Sequence, residues 1–246
     1  MCTTCGCGAA PAHLDGHPLP DAPEAPRRLH LEQALLAEND RLAAANRARL
    51  EAAGILAVNL LSSPGSGKTT LLERTLLALR GERPLAVIEG DQHSDLDRDR
   101  IRATGVPAVQ VNTGAGCHLD AHHLAHALER LDPAPGTLLF IENVGNLVCP
   151  AAFDLGEARR VVLLSVTEGE DKPLKYPAAF AGADLLLFTK TDLLPHLDFD
   201  PGRALDYARR LRPGLPALSL SARRGDGLDA WLDWLRRTHE DHGPRP

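Results

Sequence analysis

Leu60-Leu61-Ser62-Ser63-Pro64-Gly65-Ser66-Gly67-Lys68-Thr69-Thr70 joins an apolar run, Ile55 to Leu61, to a leucine-rich segment with helical spacing. A glycine-rich turn between a strand and a helix is an arrangement that cradles phosphate, because the backbone N–H groups of the turn and of the first helical residues all point at one anion. Gly65, Ser66, Gly67 and Lys68 supply those amides here, the Lys68 ammonium reaches the β- and γ-phosphates, the Thr69 hydroxyl binds Mg²⁺, and Thr70 extends the loop. The full pattern, G-x-x-x-x-G-K-S/T, begins with glycine where this chain has Ser62.

A chain of 246 residues is long enough for one α/β domain plus an extension. Hydrophobic residues make up 43% and aromatics only 4%, so the core is expected to be aliphatic and the sheet parallel. A net charge of −6 offers no basic field to a nucleic acid or a membrane surface, and neither is expected as a partner. No apolar run approaches the ~18 residues of a membrane span, and the N-terminus lacks the cationic and apolar parts of a signal peptide, so a cytoplasmic location is expected. In a reducing compartment five cysteines point to metal or redox chemistry before disulfides.

Cys2, Cys5 and Cys7 lie in residues 1–8 and, with a terminal amine, make four candidate ligands for Zn²⁺ or Ni²⁺. Residues 9–28, rich in Pro and Ala, read as a flexible linker. Leu31, Leu35, Leu42 and Leu50 followed by Gly54 predict an amphipathic helix over 29–53. Residues 54–240 then alternate apolar runs (Leu85 to Glu89, Pro107 to Val111, Thr137 to Ile141, Val161 to Val166, Leu185 to Phe188, Pro216 to Leu220) with helical patterns, and 241–246 form a tail. The alternation predicts an α/β fold, a doubly wound, mostly parallel sheet of the P-loop NTPase kind, G-domain-like, with a metal-binding N-terminal tail and an extra N-terminal helix.

In such sheets ligands sit at the carboxyl ends of strands, and the chemically loaded residues fall there. Asp91, in Glu89-Gly90-Asp91, is placed to hold Mg²⁺, while Asp95 and Asp99 read as solvated turn residues. Glu142-Asn143-Val144-Gly145 resembles the D-x-x-G switch of GTP-binding proteins, with Glu142 for Asp as a Mg²⁺ ligand and Gly145 offering its N–H to a γ-phosphate. Lys68, Asp91, Glu142 and Gly145 are accordingly the candidate catalytic residues. Thr189-Lys190-Thr191-Asp192 resembles the guanine-reading N-K-x-D motif: Asp192 accepts from the guanine N1–H and 2-amino group, Lys190 covers the base, and Thr189 in place of Asn predicts weaker base binding. Ser221-Ala222-Arg223 resembles the loop that reads guanine O6. No arginine finger can be assigned, so slow hydrolysis is expected.

Cys117, His118 and Cys149 offer two sulfur ligands and one nitrogen on neighbouring strand-end loops, a second candidate Zn²⁺ or Ni²⁺ site. His118, His122 and His126 recur at i, i+4 and i+8, one helix face if a helix starts near His118, and read either as surface histidines of an Ala/Leu helix or as a metal transit path or accessory site. Lys172 and Lys175 are candidates to reach phosphate or a partner.

The stretches M-C-T-T-C-G-C, S-S-P-G-S-G-K-T-T, E-G-D, N-T-G-A-G-C-H-L-D-A, E-N-V-G-N-L-V-C-P and E-G-E-D-K-P-L-K-Y-P together resemble the hydrogenase nickel-incorporation GTPases, the HypB family, over nearly the whole chain. The resemblance implies a metal-regulated GTPase that helps deliver Ni²⁺ to the large subunit of [NiFe]-hydrogenase with a small zinc-containing nickel chaperone of the HypA type. It also implies a GTP-dependent homodimer, with Cys117, His118 and Cys149 at an interface metal site and Cys2, Cys5 and Cys7 at a tighter terminal one. GTP or GDP, Mg²⁺, Ni²⁺ and Zn²⁺ are the implied cofactors. The absence of a histidine-rich tract argues against nickel storage. The competing readings are a urease-type nickel GTPase, a passive metal regulator or store with incidental hydrolysis, and a small-molecule P-loop kinase, which the guanine-type motif disfavours.

Overall fold

Each apolar run between Ile55 and Leu220 becomes a strand. In a computed structural model these are β3 (Leu56–Ser62), β4 (Leu85–Asp91), β5 (Ala108–Asn112), β6 (Leu138–Glu142), β7 (Arg159–Ser165), β8 (Leu185–Thr189) and β9 (Ala217–Ser219). The structure describes residues 25–91, 96–114 and 116–242, with β1 (His13–Leu14) paired antiparallel to β2 (His17–Pro18). The candidate terminal ligands Cys2, Cys5 and Cys7 lie outside the described residues, as do Asp95 and most of the 9–28 linker.

The seven strands stand in the order β5-β4-β6-β3-β7-β8-β9, and every neighbouring pair is parallel. Parallel strands need crossovers, and helices supply most of them: α2 (Lys68–Leu79), α3 (Leu96–Ala103), α4 (Ala121–Leu131), the short α5 (Cys149–Ala152), α6 (Lys172–Lys175) and α7 (Pro177–Ala181), and α8 (Pro201–Leu211). Helix α9 (Leu228–His242) closes the chain.

Alternation along β3 sorts the core. Leu56, Val58 and Leu60 pack with Leu71, Leu72, Leu76, Trp231 and Leu235 on one face of the sheet. Ala57 joins a cluster with Leu124 and Leu128 of α4 and with Leu50, while Leu61 packs with Phe180, Ala204 and Ala208. Strands buried on both faces have no polar side to show, which is why they read as continuous apolar runs.

Helix α1 runs Ala25–Ala52 and ends at Gly54, whose φ is +62°. Its buried face differs from the expected leucine stripe. Asn39, Ala43, Asn46 and Leu50 are buried, whereas Leu35 remains 46% exposed. The reason is polar docking: Asn39 accepts from Ala121 N–H and donates to Asp154 C=O, and Asn46 donates to the carbonyls of Ala121 and Leu155. The helix therefore packs on its own domain, against the start of α4 and the loop ahead of β7.

Candidate nucleotide and metal site

The strand ends align the site. Register pairs Leu60 with Glu142 and Glu89 with Glu142, so the loop leaving β3 departs beside the carboxyl ends of β6 and β4. Gly65 and Gly67 take φ of +70° and +98°, conformations that side chains resist. Ser62 is the last residue of β3 and needs no such freedom, so the pattern's first glycine is dispensable. Its hydroxyl instead accepts from Lys68 Nζ at 2.8 Å and from Ser66 Oγ. Gly67 caps α2 without a side-chain hydrogen bond, leaving the helix's first amides aimed at the loop.

Two cavities meet here. One of about 460 Å³ is lined by Pro64 to Thr70, Glu89, Gly90, Asp91, Arg100, Glu142, Asn143, Gly145 and Lys190. Thr69 Oγ1 donates to Glu142 Oε1 at 2.7 Å inside it, and Glu89 is buried beside them. A hydroxyl converging with three carboxylates on one chamber is an oxygen donor set that fits a hard divalent cation such as Mg²⁺.

The second cavity, about 540 Å³, is bounded by Ser66, Gly67, Thr70, Arg74, Thr189, Lys190, Asp192, Ser221 and Ala222. All the candidate base-reading residues thus surround one space. Lys190 is one of two non-glycine residues with positive φ among those described, at +57°, and lines both cavities. Thr189 Oγ1 donates to Ser66 C=O at 2.7 Å, so this threonine straps the base-side strand to the phosphate loop. Arg74 Nε holds the Ala222 carbonyl at 3.0 Å.

Cys117, His118 and Cys149 converge, with their ligand atoms all within 4.8 Å of one another. The Cys117 Sγ to His118 Nδ1 distance is 3.7 Å. Burial lowers the pKa of His118, against the opposing pull of Asp120, and so favours the neutral imidazole that a metal requires. Its ring packs on Phe153, centroid to centroid 4.1 Å. Two soft thiolates and an imidazole fit Zn²⁺ or Ni²⁺.

The same segment serves both places. Gly145 abuts Pro64 of the phosphate loop: a Cβ there would lie 3.0 Å from Pro64 Cα. Asn143 Oδ1, between Glu142 and Gly145, accepts from Leu119 N–H at 3.1 Å. Asn146 donates to Cys117 C=O at 3.5 Å and accepts from Val148 N–H. A Cβ on Gly90 would lie 2.6 Å from Leu119 Cγ, so the Cys117–His118 loop also rests on the strand end that carries Asp91.

Helix α4 starts at Ala121 with Asp120 as N-cap, so His118 stands outside it and the expected three-histidine face reduces to His122 and His126. Burial raises the Asp120 carboxyl, but hydrogen bonds from the His123 ring and N–H prevail and bring it to about 2. Lys172 Nζ reaches Ser63 Oγ at 3.1 Å and pairs with Glu168, whereas Lys175 pairs with Asp171 at the surface. Glu89, Asn143, Asn146, Phe153, Arg74 and Arg100 line or brace the site without belonging to a motif position that names them. The asparagines lie inside the E-N-V-G-N stretch, where their spacing about Gly145 was the available signal. Arg100 enters the phosphate chamber from α3, held by Glu73 and Thr70.

Fold and site define the class: a P-loop nucleotide-binding protein with a cysteine–histidine cluster beside the segment that leaves β6. The sequence family described as "CobW/HypB/UreG, nucleotide-binding domain" matches residues 56–219. The hydrogenase maturation factor HypB of Azotobacter vinelandii is 62% identical over 94% of this chain and 75% of its own length. A crystal structure of the Archaeoglobus fulgidus HypB superposes with a TM-score of 0.77 at 41% identity, covering 83% of this chain and all of that one. The Helicobacter pylori HypB, crystallised in complex with nickel, gives 0.77 at 38% identity, covering 85% of this chain and 99% of that one. This chain belongs to the HypB family of P-loop GTPases.

Proposed function

We propose that this protein hydrolyses GTP to carry Ni²⁺, with Zn²⁺ as a second occupant of its metal sites, to the large subunit of [NiFe]-hydrogenase. One observation carries the reading: the segment Glu142 to Cys149 touches the phosphate loop through Gly145 and Pro64, and holds the metal loop through Asn143 and Asn146. The relatives' names, hydrogenase maturation factors of which one was crystallised with nickel, support the biological role.

In this reading the amides of Gly65 to Lys68 and the Lys68 ammonium bind the β- and γ-phosphates, the ammonium leaving its Ser62 partner to do so. Thr69, Asp91 and Glu142 hold Mg²⁺, which supplies charge neutralisation on the phosphate oxygens. Gly145 N–H engages the γ-phosphate, and hydrolysis releases it. Asn143 and Asn146 then shift with the switch and move Cys117, His118 and Cys149 relative to one another, changing metal affinity. A GTP-dependent homodimer closes the phosphate and metal sites, and a HypA-type chaperone receives or supplies the ion. Cys2, Cys5 and Cys7 hold a second ion.

The test is a Ni²⁺ and Zn²⁺ titration with GDP and with a non-hydrolysable GTP analogue plus Mg²⁺, while dimer mass is followed. A nucleotide-dependent affinity that vanishes in Cys117→Ala is the expected result. If affinity and mass ignore the nucleotide, a passive metal carrier with an independent GTPase is the better account.

A further inference from the structure

Cys117 and Cys149 meet although the sheet does not pair the strands they follow. The Cys117–His118 loop leaves β5, an edge strand, and Cys149 comes after β6, with β4 standing between the two. Neighbouring strands lie ~4.8 Å apart, so these loops depart from strands about 10 Å from each other, with no ladder to fix their distance. The ligand atoms of Cys117, His118 and Cys149 nonetheless all lie within 4.8 Å of one another. Contacts outside the sheet set that spacing.

Helix α1 supplies two of them, and each spans both loops. Asn39 Oδ1 accepts from Ala121 N–H at 2.9 Å, while its Nδ2 donates to Asp154 C=O at 2.8 Å. Two helical turns on, Asn46 Nδ2 donates to Ala121 C=O at 2.8 Å and to Leu155 C=O at 3.1 Å. Both asparagines are buried. Ala121 lies three residues past His118, and Asp154 five past Cys149. The second loop is pressed on the helix: a Cβ on Gly156 would collide with the Ala43 carbonyl and lie 2.8 Å from Arg47 N. Phe153, next to Asp154, packs on the His118 ring, so the stretch that α1 holds also backs the imidazole.

We propose that α1 is a clamp on the cysteine–histidine cluster, in which Asn39 and Asn46 are positioning residues that tie the Cys117–His118 loop to the Cys149 loop and set the separation of the ligands. They act through backbone, at Ala121, Asp154 and Leu155. A side-chain amide suits the task because it donates and accepts at once, whereas a carboxylate of the same shape would face those three carbonyls with no proton to give. A docked α1 holds the ligands together, and an α1 that lifts away lets the loops part, so metal affinity follows the docking of the helix. The consequence for affinity rests on the metal-carrying reading above, while the ligand spacing exists without a metal.

The experiment uses the full-length chain with Cys2, Cys5 and Cys7 changed to serine, which leaves Cys117 and Cys149 as its thiols. In the metal-free protein, dibromobimane fluoresces once both thiolates have each displaced a bromide. Asn39→Ala and Asn46→Ala, singly and together, are expected to slow the closing second bond and leave the first alkylation unchanged. In the same proteins Co²⁺, a spectroscopic stand-in for Zn²⁺, should bind about tenfold more weakly with an altered thiolate charge-transfer band. Leu50→Ala is the control: it truncates the buried packing of α1 on Leu124 and Leu128, and should lower the urea midpoint at least as much while leaving ring closure, affinity and band as they were. Unaltered ring closure and Co²⁺ affinity in the double variant would overturn the clamp, as would equal losses in Leu50→Ala. Slowed ring closure in a protein that binds no Co²⁺ would remove the metal reading and leave the clamp standing.

Discussion

Thr189 and Gly145 show how much rests on single side chains. The Thr189 hydroxyl donates to the Ser66 carbonyl, so Thr189→Val removes a buried donor and is expected to cost about 1 kcal/mol, roughly fivefold in guanine-nucleotide affinity by isothermal titration. Thr189 stands where the base-reading motif has asparagine, and its hydroxyl ties β8 to the phosphate loop. Gly145→Ala forces a methyl within 3.0 Å of Pro64 Cα, backbone that cannot swing aside. Its expected outcome is loss of the difference in Ni²⁺ affinity between GDP-bound and GTP-analogue-bound protein, with metal binding itself retained. An intact difference in that titration would show that the signal bypasses Gly145.

Among the elements, α1 is the most informative, because two asparagines are buried beside Leu50 in its packed face while Leu35 stays exposed. Asn46 donates to two buried carbonyls, so Asn46→Leu leaves both unpaired and is expected to lower stability by about 2 kcal/mol, read from the urea midpoint. The docking is also acid-sensitive. Burial opposes ionisation of Asp154, but hydrogen bonds from Arg47 and the Gly156 N–H outweigh it and hold its pKa below the ordinary carboxylate value. A depressed carboxylate contributes stability that is present above its unfolded pKa of ~3.9 and is lost as pH falls through the folded value. Amide exchange in α1 should therefore accelerate below about pH 4 and be flatter with pH in Asp154→Asn. At neutral pH that variant should lose no more than about 1 kcal/mol, because Arg47 and Asp154 are 38% and 40% exposed.

At the scale of the whole molecule, the proposed coupling between nucleotide and metal carries a thermodynamic requirement, reciprocity. Whatever factor a GTP analogue imposes on Ni²⁺ affinity, Ni²⁺ must impose on affinity for the analogue, typically 5–150-fold for a coupling of this kind. Measuring both legs on one preparation checks it, and unequal factors would mean that dimerisation or a second metal site enters the cycle. The strand order makes the proposed path short: β6 lies between β3 and β4, and its outgoing segment touches the phosphate loop on one side and the Cys117–His118 loop on the other.

The sequence by itself determined the class of chemistry. Phosphate loop, switch and base motif are each written within a few consecutive residues, since backbone amides, a lysine and a hydroxyl must meet one ligand from one turn. It also determined the parallel sheet, because strands covered on both faces must be apolar throughout. Only the tertiary structure decided what depends on register between strands far apart in the chain. It brought Cys149 to Cys117 and His118, set Asn143 against Leu119, and turned Asn39 and Asn46 of α1 inward. It also separated His118 from the helix that pairs His122 with His126. Those meetings are fixed by which loops the sheet order sets side by side, and spacing along one chain carries no record of that.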